Sequence, residues 1–250
     1  MRTLASRLNG RWLVGLFVVC LVVTLAAPTV TSASAAPAAE SSAAGKSSHN
    51  VSGKQLKDYR RLTVSTSQAR FDKGVDNQGW WAKDFRNGDG NDNYAVGECG
   101  TCGSPIRDFF TFKLPDVKGK VVAARLVVRR YHADGTDATE TLDLYDVHTP
   151  ARKLNNNGRR DSRVYRDLGT GTRYGRFRVA TQNVDPRSVV GFWLNHAALS
   201  NINAASGRYF SVGGRVTSTK RSNRQLELLF SGSHSNGMQE LRLYVKPKSP

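Results

Sequence analysis

NYAVGECGTCGSPIRDFFTFKLP, residues 93–115, is the stretch of sequence that decides the fold. It reads as one strand, a loop pinched by two cysteines, and a second strand that ends at Pro115. Phe110, Phe112 and Leu114 share one parity, and Thr111 and Lys113 fall on the other. Side chains of a strand point alternately to its two faces, so this pattern predicts a half-buried strand.

Similar short β-prone runs recur between turn signals along the rest of the chain. The longest, residues 121–131, places Ala124, Leu126 and Val128 inward and Arg125, Val127 and Arg129 on a solvated face. Further predicted strands cover residues 61–65, 140–147, 174–180, 189–194, 208–213, 226–230 and 241–245. In two of these strands the predicted inward residues are Leu142, Leu144, Phe177 and Val179.

One helix is predicted, over residues 196–205. Asn195 is a suitable N-cap, and Gly207 stands where a C-terminal stop belongs. Eight to ten strands without βαβ alternation indicate an all-β protein. We therefore predict one antiparallel two-sheet sandwich over residues 58–247, jelly-roll-like, with one short helix.

The N-terminal segment is unlike the rest. Arg2, Arg7 and Arg11 precede an apolar run over residues 12–27, and Ala33-Ser34-Ala35 offers a small-x-small cleavage site. Residues 1–35 are thus predicted to be a secretion signal, whose apolar run is short for a bilayer span. Residues 36–57, rich in Ala and Ser, are predicted to be a disordered linker. We expect a secreted protein, extracellular or associated with the cell wall, with no stable membrane span after cleavage.

The charge balance favours an anionic partner. Lysine and arginine number 37 against 20 acidic residues, a formal net charge of +17, and +14 (17 − 3) once the three signal arginines are removed. Such a field attracts acidic polysaccharide or another anionic cell-surface polymer. Nucleic acid is disfavoured because no motif spaces base-stacking aromatics among the cations. The cations that would line a polyanion groove are Arg129, Arg130, Arg152, Lys153, Arg159, Arg160, Arg163, Arg166 and Arg173.

Two segments carry a resemblance to known families. Residues 107–115 followed by 122–128 resemble the core of DNRLRE-type sandwich modules, which are carbohydrate-binding-like. Residues 91–97, 144–147 and the predicted helix leading to 210–214 are similar to a group of exported bacterial proteins of unknown function, some of which carry a PEP-CTERM sorting tail. That tail is missing here. The resemblance implies a β-sandwich fold and an extracellular location, and it implies no catalytic residues.

Cys99 and Cys102 have the spacing of a redox motif. A thioredoxin-like site needs the first cysteine at the start of a helix in a βαβ setting. A metal knuckle needs a second pair of ligands. In a β-rich exported chain we favour a local disulfide that clamps the loop between two strands.

An Asp- and Asn-rich loop follows residue 83. Asp84, Asp89, Asn91 and Asp92 offer the hard oxygen donors that Ca²⁺ takes, although their spacing is not that of an EF-hand. Calcium is therefore the one candidate cofactor. The alternative is a solvated turn whose side chains bond their own backbone.

Trp80, Trp81 and Tyr94 flank this loop. Flat aromatic rings on a sandwich surface can stack on sugars, so these three are the predicted sugar-stacking residues. The alternative is that they form part of the core, since one of two adjacent tryptophans in a strand faces inward.

We found no nucleophile elbow, metalloprotease helix or phosphate loop. Arg129, Tyr131 and His132 have the residue types of a polysaccharide lyase. Our leading hypothesis is a non-enzymatic exported protein that binds glycan or anionic polymer. The alternatives are a lyase or hydrolase acting on acidic polysaccharide, and a structural envelope or matrix protein.

Overall fold

The computed structural model describes residues 55–66, 77–88, 93–156, 158–218, 226–232 and 239–247. The predicted signal and nearly all of the predicted linker lie outside these residues. The linker was placed as far as residue 57, but Gln55–Asp58 form a 3₁₀ turn, and Leu56 is buried. Within the described ranges, no helix has the length and apolar character needed to cross a bilayer.

The described residues contain twelve strands. They are β1 Arg60–Ser65, β2 Gln78–Ala82, β3 Val96–Cys99, β4 Ile106–Lys113, β5 Lys120–Arg129, β6 His132–Asp134, β7 Thr139–Asp146, β8 Arg173–Ala180, β9 Val189–Trp193, β10 Tyr209–Val216, β11 Leu226–Ser231 and β12 Glu240–Lys246.

The strands form two antiparallel sheets, which confirms the predicted all-β sandwich. Sheet A has four strands in the order β1-β12-β5-β9. Sheet B has eight, in the order β6-β11-β3-β4-β10-β7-β8, with β2 paired to β4. The first and last strands of the domain pair with each other, Arg60 opposite Val245 and Ser65 opposite Glu240. The ends of the domain are therefore joined by a strand pair.

The core lies between the sheets where the alternation predicted it. Ala124, Leu126 and Val128 of β5 are buried in it, as are Leu142 and Leu144 of β7. Phe177 and Val179 of β8 join the same cluster, together with Phe110, Phe112 and Leu114. Burial of these side chains supplies the main driving force for folding.

Strand β4 departs from its predicted half-buried pattern, because both of its faces are covered. Phe109 packs against a second cluster that contains Trp81, Leu154, Val164 and Leu168. Three of these belong to the segment after residue 147, in which the sequence predicted no helix. It contains two short helices, α1 Ala151–Leu154 and α2 Ser162–Asp167, which cover the outer face of sheet B at β4.

Arg107 of β4 holds this helical segment. Its Nη1 donates to the carbonyls of Tyr165 at 2.8 Å and Arg166 at 3.1 Å, and its guanidinium lies 4.1 Å from the Tyr165 ring centroid. The arginine thus satisfies carbonyls at the end of α2 that have no partner within the helix. Its role in the fold is structural.

The predicted helix is α3, His196–Ala204. The Asn195 side chain accepts from the Ala198 N–H at 3.2 Å, as expected of an N-cap, and Gly207 has φ +72° just beyond the end. Ala198 and Ile202 enter the main core. Asn203 bonds both the N–H and the carbonyl of Val121, so the helix is fixed to β5.

The sulfurs of Cys99 and Cys102 lie at disulfide-bonding distance, and their Cα atoms are 5.3 Å apart. The pair spans a 3₁₀ turn, Gly100–Cys102, between β3 and β4, with Gly103 at φ +91°. The described strands that flank it pair antiparallel, and no α-helix begins at Cys99, so the predicted pairing of the two cysteines in this loop is confirmed.

Candidate functional site

The three aromatics predicted to stack on sugars lie in the interior. Trp80, Trp81 and Tyr94 are 8%, 2% and 0% exposed. Trp81 donates its indole N–H to the Leu154 carbonyl at 2.9 Å, beneath the helical segment. The Tyr94 hydroxyl donates to the Arg129 carbonyl at 3.0 Å, and burial raises its pKa. None presents a ring face to solvent, which corrects the prediction in favour of its core alternative.

The calcium prediction falls mainly on residues that the structure does not describe. Asp89, Asn91 and Asp92 lie outside the described residues. Asp84 is exposed, and its backbone carbonyl accepts from Arg160 Nη1 at 3.0 Å. Calcium binding by this loop therefore stays a prediction.

The residues considered for a lyase do not form a substrate site. The Arg129 guanidinium lies 5.1 Å from the Tyr131 ring centroid, and His132 is exposed. The cavity beside Tyr131 and His132 measures about 10 Å³. That volume accommodates about one water molecule, not a sugar residue.

A larger groove of about 470 Å³ lies between β7, β10 and α3. Its polar groups are already engaged: Asp146 Oδ1 accepts from the Thr172 N–H at 2.7 Å, and the Tyr174 hydroxyl accepts from Asn201 Nδ2 at 2.7 Å. Burial raises the pKa of Tyr174 to about 12. A phenol of that pKa stays protonated at neutral pH and cannot act as a base.

The predicted basic residues of the helical segment form one cationic surface on sheet B. Exposed members are Arg152, Lys153, Arg159, Arg160, Arg163 and Arg166. Lys153 and Arg163 both pair with Asp161, at 2.7 Å and 3.6 Å. Of the aromatic side chains here, Trp81 and Phe109 are buried beneath the segment and Tyr165 is partly exposed. The Arg107 guanidinium lies 4.1 Å from the Tyr165 ring centroid and so covers one face of that ring.

Aromatic and cationic side chains meet on the outer face of sheet A. Leu241, Leu243 and Val245 of β12 point into the core, so Arg242 and Tyr244 point outward. The same alternation in β9 buries Val190 and Phe192 and turns Trp193 outward. Strand pairing then sets Arg125 of β5 opposite both Arg242 and Trp193, and sets Arg61 opposite Tyr244.

Trp193, Tyr244 and Arg125 form the centre of this face. The two rings lie 5.7 Å apart at 38°, and the Arg125 guanidinium lies 5.4 Å from the Trp193 ring centroid. A Cβ on Gly191 would fall 2.0 Å from Arg125 Nε. The glycine therefore leaves the space in which the arginine side chain crosses β9 towards Trp193.

A groove of about 520 Å³ runs along these residues. It is lined by Leu56, Lys57, Tyr59, Arg61, Trp193 and Tyr244. We name it the sheet A groove. The 3₁₀ turn before β1 forms one wall of it, so the residues at the end of the predicted linker contribute to the site.

Positive charge dominates this face. Arg61, Arg125, Arg242 and Lys246 point outward, and Glu240 is the only outward carboxylate on the four strands, all of which are described. Glu240 is neutralised by Arg242, whose Nε lies 2.9 Å from its Oε2. The face is thus a shallow, cationic, aromatic-lined surface with no acid–base pair.

The fold and this groove define an all-β, two-sheet sandwich with an aromatic and arginine surface on its smaller sheet. No family model and no curated protein matches the chain. Among solved structures, it is similar to the K1 cleaved adhesin domain of Lys-gingipain from Porphyromonas gingivalis W83, at 11% identity and a TM-score of 0.29. The match covers 76% of this chain and 99% of that one. A likeness of this size carries no information on ligand or activity.

Proposed function

We propose that this protein is an exported, non-enzymatic binding protein, and that an acidic polysaccharide of the cell surface lies in the sheet A groove. The observation that carries the proposal is the contact of Trp193 with Tyr244 and Arg125 on an outward sheet face. This face combines the two chemistries that an acidic sugar chain needs.

The aromatic rings supply the first chemistry. Trp193 and Tyr244 are both partly exposed, unlike the three aromatics first predicted to stack. A planar ring that keeps an open face can cover the apolar face of a sugar ring, and aromatic side chains dominate interface energetics. Tyr59 extends the platform along the same groove.

The arginines supply the second chemistry, which is recognition of the negatively charged groups. Their planar guanidinium forks match carboxylates and sulfates in bidentate geometry. Arg61 lines the groove beside Tyr244, and Arg125 and Arg242 adjoin it. Because Glu240 is already paired, the four strands present no unpaired carboxylate to an anionic polymer.

The shape of the groove favours a polymer over a small molecule. Small ligands are commonly held in enclosed clefts that bury most of their surface. The sheet A groove is a shallow depression on an outward sheet face, so an extended chain can lie along it. The arrangement has no positioned acid or base, which is why we propose binding without cleavage.

We expect the electrophoretic mobility of the protein without its predicted signal to fall in gels that contain polygalacturonate or alginate. We also expect calorimetry to detect binding of soluble oligouronates. Arg61→Ala with Arg242→Ala should weaken binding about tenfold, because one cation leaves the groove, a second leaves its edge, and Glu240 loses its partner. Trp193→Ala should weaken it by roughly the same factor through the lost ring contact.

The matched control is Arg152→Ala with Arg159→Ala. It removes the same charge from exposed positions of the helical segment, on the other sheet. If charge alone governs binding, both double variants weaken equally and the sheet A groove is not the site. Absence of binding to any acidic polysaccharide would overturn the proposed function itself.

A further inference from the structure

Three carboxylates converge at one end of the sandwich, remote from the sheet A groove in the sequence and in sheet membership. Asp137 lies in the loop before β7, Glu140 near the start of β7, and Glu227 near the start of β11. Each offers an oxygen that lies within 4.8 Å of the others. We call these three residues the acidic cluster.

Two members of the cluster are buried. Glu140 and Glu227 are 1% and 3% exposed. Glu140 occupies the same side of β7 as the core residues Leu142 and Leu144. Burial of a carboxylate is costly unless it is paired, and like charges side by side add to that cost.

Among the residues that the structure describes, no cation compensates the charge of the cluster. Glu140 Oε1 and Glu227 Oε2 are buried and have no hydrogen-bond partner. Among the described residues, no lysine, arginine or histidine forms an ion pair with any of the three acids. The cluster therefore contains two buried acceptor oxygens without a hydrogen-bond partner.

The surrounding residues hold the acids in place. The Thr141 N–H donates to Ser218 Oγ at 2.7 Å, so the Ser218 hydroxyl is free to donate to Glu140 Oε2. The Thr181 hydroxyl donates to the carbonyl of Asp137 and fixes that loop. Glu140 thus has one oxygen anchored and the other available.

We propose that the acidic cluster is a Ca²⁺ site that ties β7 and β11 together. Calcium takes six to eight oxygen ligands at about 2.4 Å, so ligands on opposite sides of one ion are about 4.8 Å apart. The three acids fit within that span. They supply three to six oxygens, and backbone carbonyls or water complete the shell. The donor set contains no nitrogen or sulfur, which disfavours zinc.

Electrostatics support this assignment. Three carboxylates whose oxygens lie within 4.8 Å repel one another, and burial of two of them strengthens that repulsion. A divalent cation removes the penalty that these three charges impose on one another. This site is distinct from the loop containing Asp84, to which the sequence alone had assigned calcium.

The test starts from mature protein stripped of metal with a chelator. We expect calorimetry to show one Ca²⁺ ion bound per chain at the acidic cluster. Tb³⁺ should bind with enhanced luminescence that Ca²⁺ quenches by displacement. The melting temperature should rise by about 5–10 °C when Ca²⁺ is about 100-fold above its Kd, since ligand binding to the native state stabilises it.

Glu227→Gln separates the proposal from a purely structural role. In chelator, the variant should melt at or above the temperature of the wild type, because a repulsive buried charge is gone. In Ca²⁺ it should show no rise. Asp134→Asn is the matched control: it removes one negative charge from β6, which pairs with β11, outside the cluster, and should keep the full rise.

Three results would overturn the proposal. The first is no Ca²⁺ or Tb³⁺ binding by the wild type. The second is an unchanged Ca²⁺ response in Glu227→Gln. The third is that Asp89→Asn loses the Ca²⁺ response while Glu227→Gln keeps it. That result would place the ion in the loop that follows Asp84.

Discussion

Asp108→Asn is expected to stabilise the protein at neutral pH and to remove a pH dependence that the wild type shows. Asp108 lies on β4 with its side chain 0% exposed, on the same side as Phe110 and Phe112. A Cβ added at the paired residue Gly214 would fall 2.0 Å from Asp108 Oδ1, so the carboxyl lies directly over that glycine.

Burial raises the pKa of Asp108 well above its ordinary value, and the backbone amides of Asp108 and Gly214 oppose this only in part. The folded protein therefore keeps the proton to a higher pH than the unfolded chain does. Stability from this group is fully present below the unfolded pKa of about 4, and is lost as the pH rises towards the folded pKa. The loss is about 1.4 kcal/mol for each unit between the two values.

Asparagine has nearly the same shape and carries no charge at any of these pH values. The variant's stability advantage over the wild type should therefore grow as the pH rises from 4.5 to 8. Each 1 kcal/mol of that advantage raises the melting temperature of the variant by about 2–4 °C relative to the wild type. Urea denaturation of both proteins across this range measures the difference, in which the titration of all other groups cancels. A difference that stays constant with pH would mean that Asp108 is ionised in the native state.

Gly97→Ala is expected to destabilise the protein by about 3 kcal/mol or more. Gly97 has φ +133°, a conformation that residues with a side chain rarely adopt. Its Cβ would also lie 2.1 Å from the carbonyl oxygen of Glu227 on the paired strand β11. The obstruction is backbone, so the β3–β11 pair must separate to accommodate it.

Gly158→Ala is the control for this substitution. A Cβ at Gly158 meets no atom within 4 Å, and its φ lies outside the left-handed region. Thermal unfolding should show a fall of about 6–12 °C for Gly97→Ala and little change for Gly158→Ala. Equal stability of the two variants would contradict the strand pairing described here.

The sequence was enough to predict the two-layer core, because that core depends on local alternation. Ala124, Leu126 and Val128 share a parity that burial on one face requires, and the structure buries all three. The covering of both faces of β4 was not predictable in this way. Helices of four and six residues are too short for a periodic signal, so Leu154 and Val164 gave no sign that they would pack on Phe109.

The candidate site was predicted less well than the fold. Trp80 and Trp81 point to opposite faces of β2, and both faces are covered. Trp80 packs against Ile106 and Leu228, and Trp81 packs beneath the helical segment. The outward parity of Trp193 is visible in its own strand. Its meeting with Tyr244 depends on the order β12-β5-β9, which brings together segments about 50 residues apart and has no local signature.

The acidic cluster illustrates the same limit. Glu140 precedes Leu142 and Leu144 at inward spacing, and an acid at such a position is a readable signal of a buried charge. Its partner Glu227 lies 87 residues further along the chain. Strand β11 pairs with β3 and β6 and not with β7, so the two acids meet through the tertiary arrangement of sheet B, which has no local signature.

The central claim, that the sheet A groove binds an acidic polysaccharide, is tested most directly by an NMR titration of the ¹⁵N-labelled mature protein with oligogalacturonate. We predict that the largest shifts appear at the Trp193 indole, Tyr244, Arg125 and Arg61, which report on four adjacent strands of one face. Shifts confined to residues 151–167 on the opposite sheet, or no shifts at all, would contradict the account.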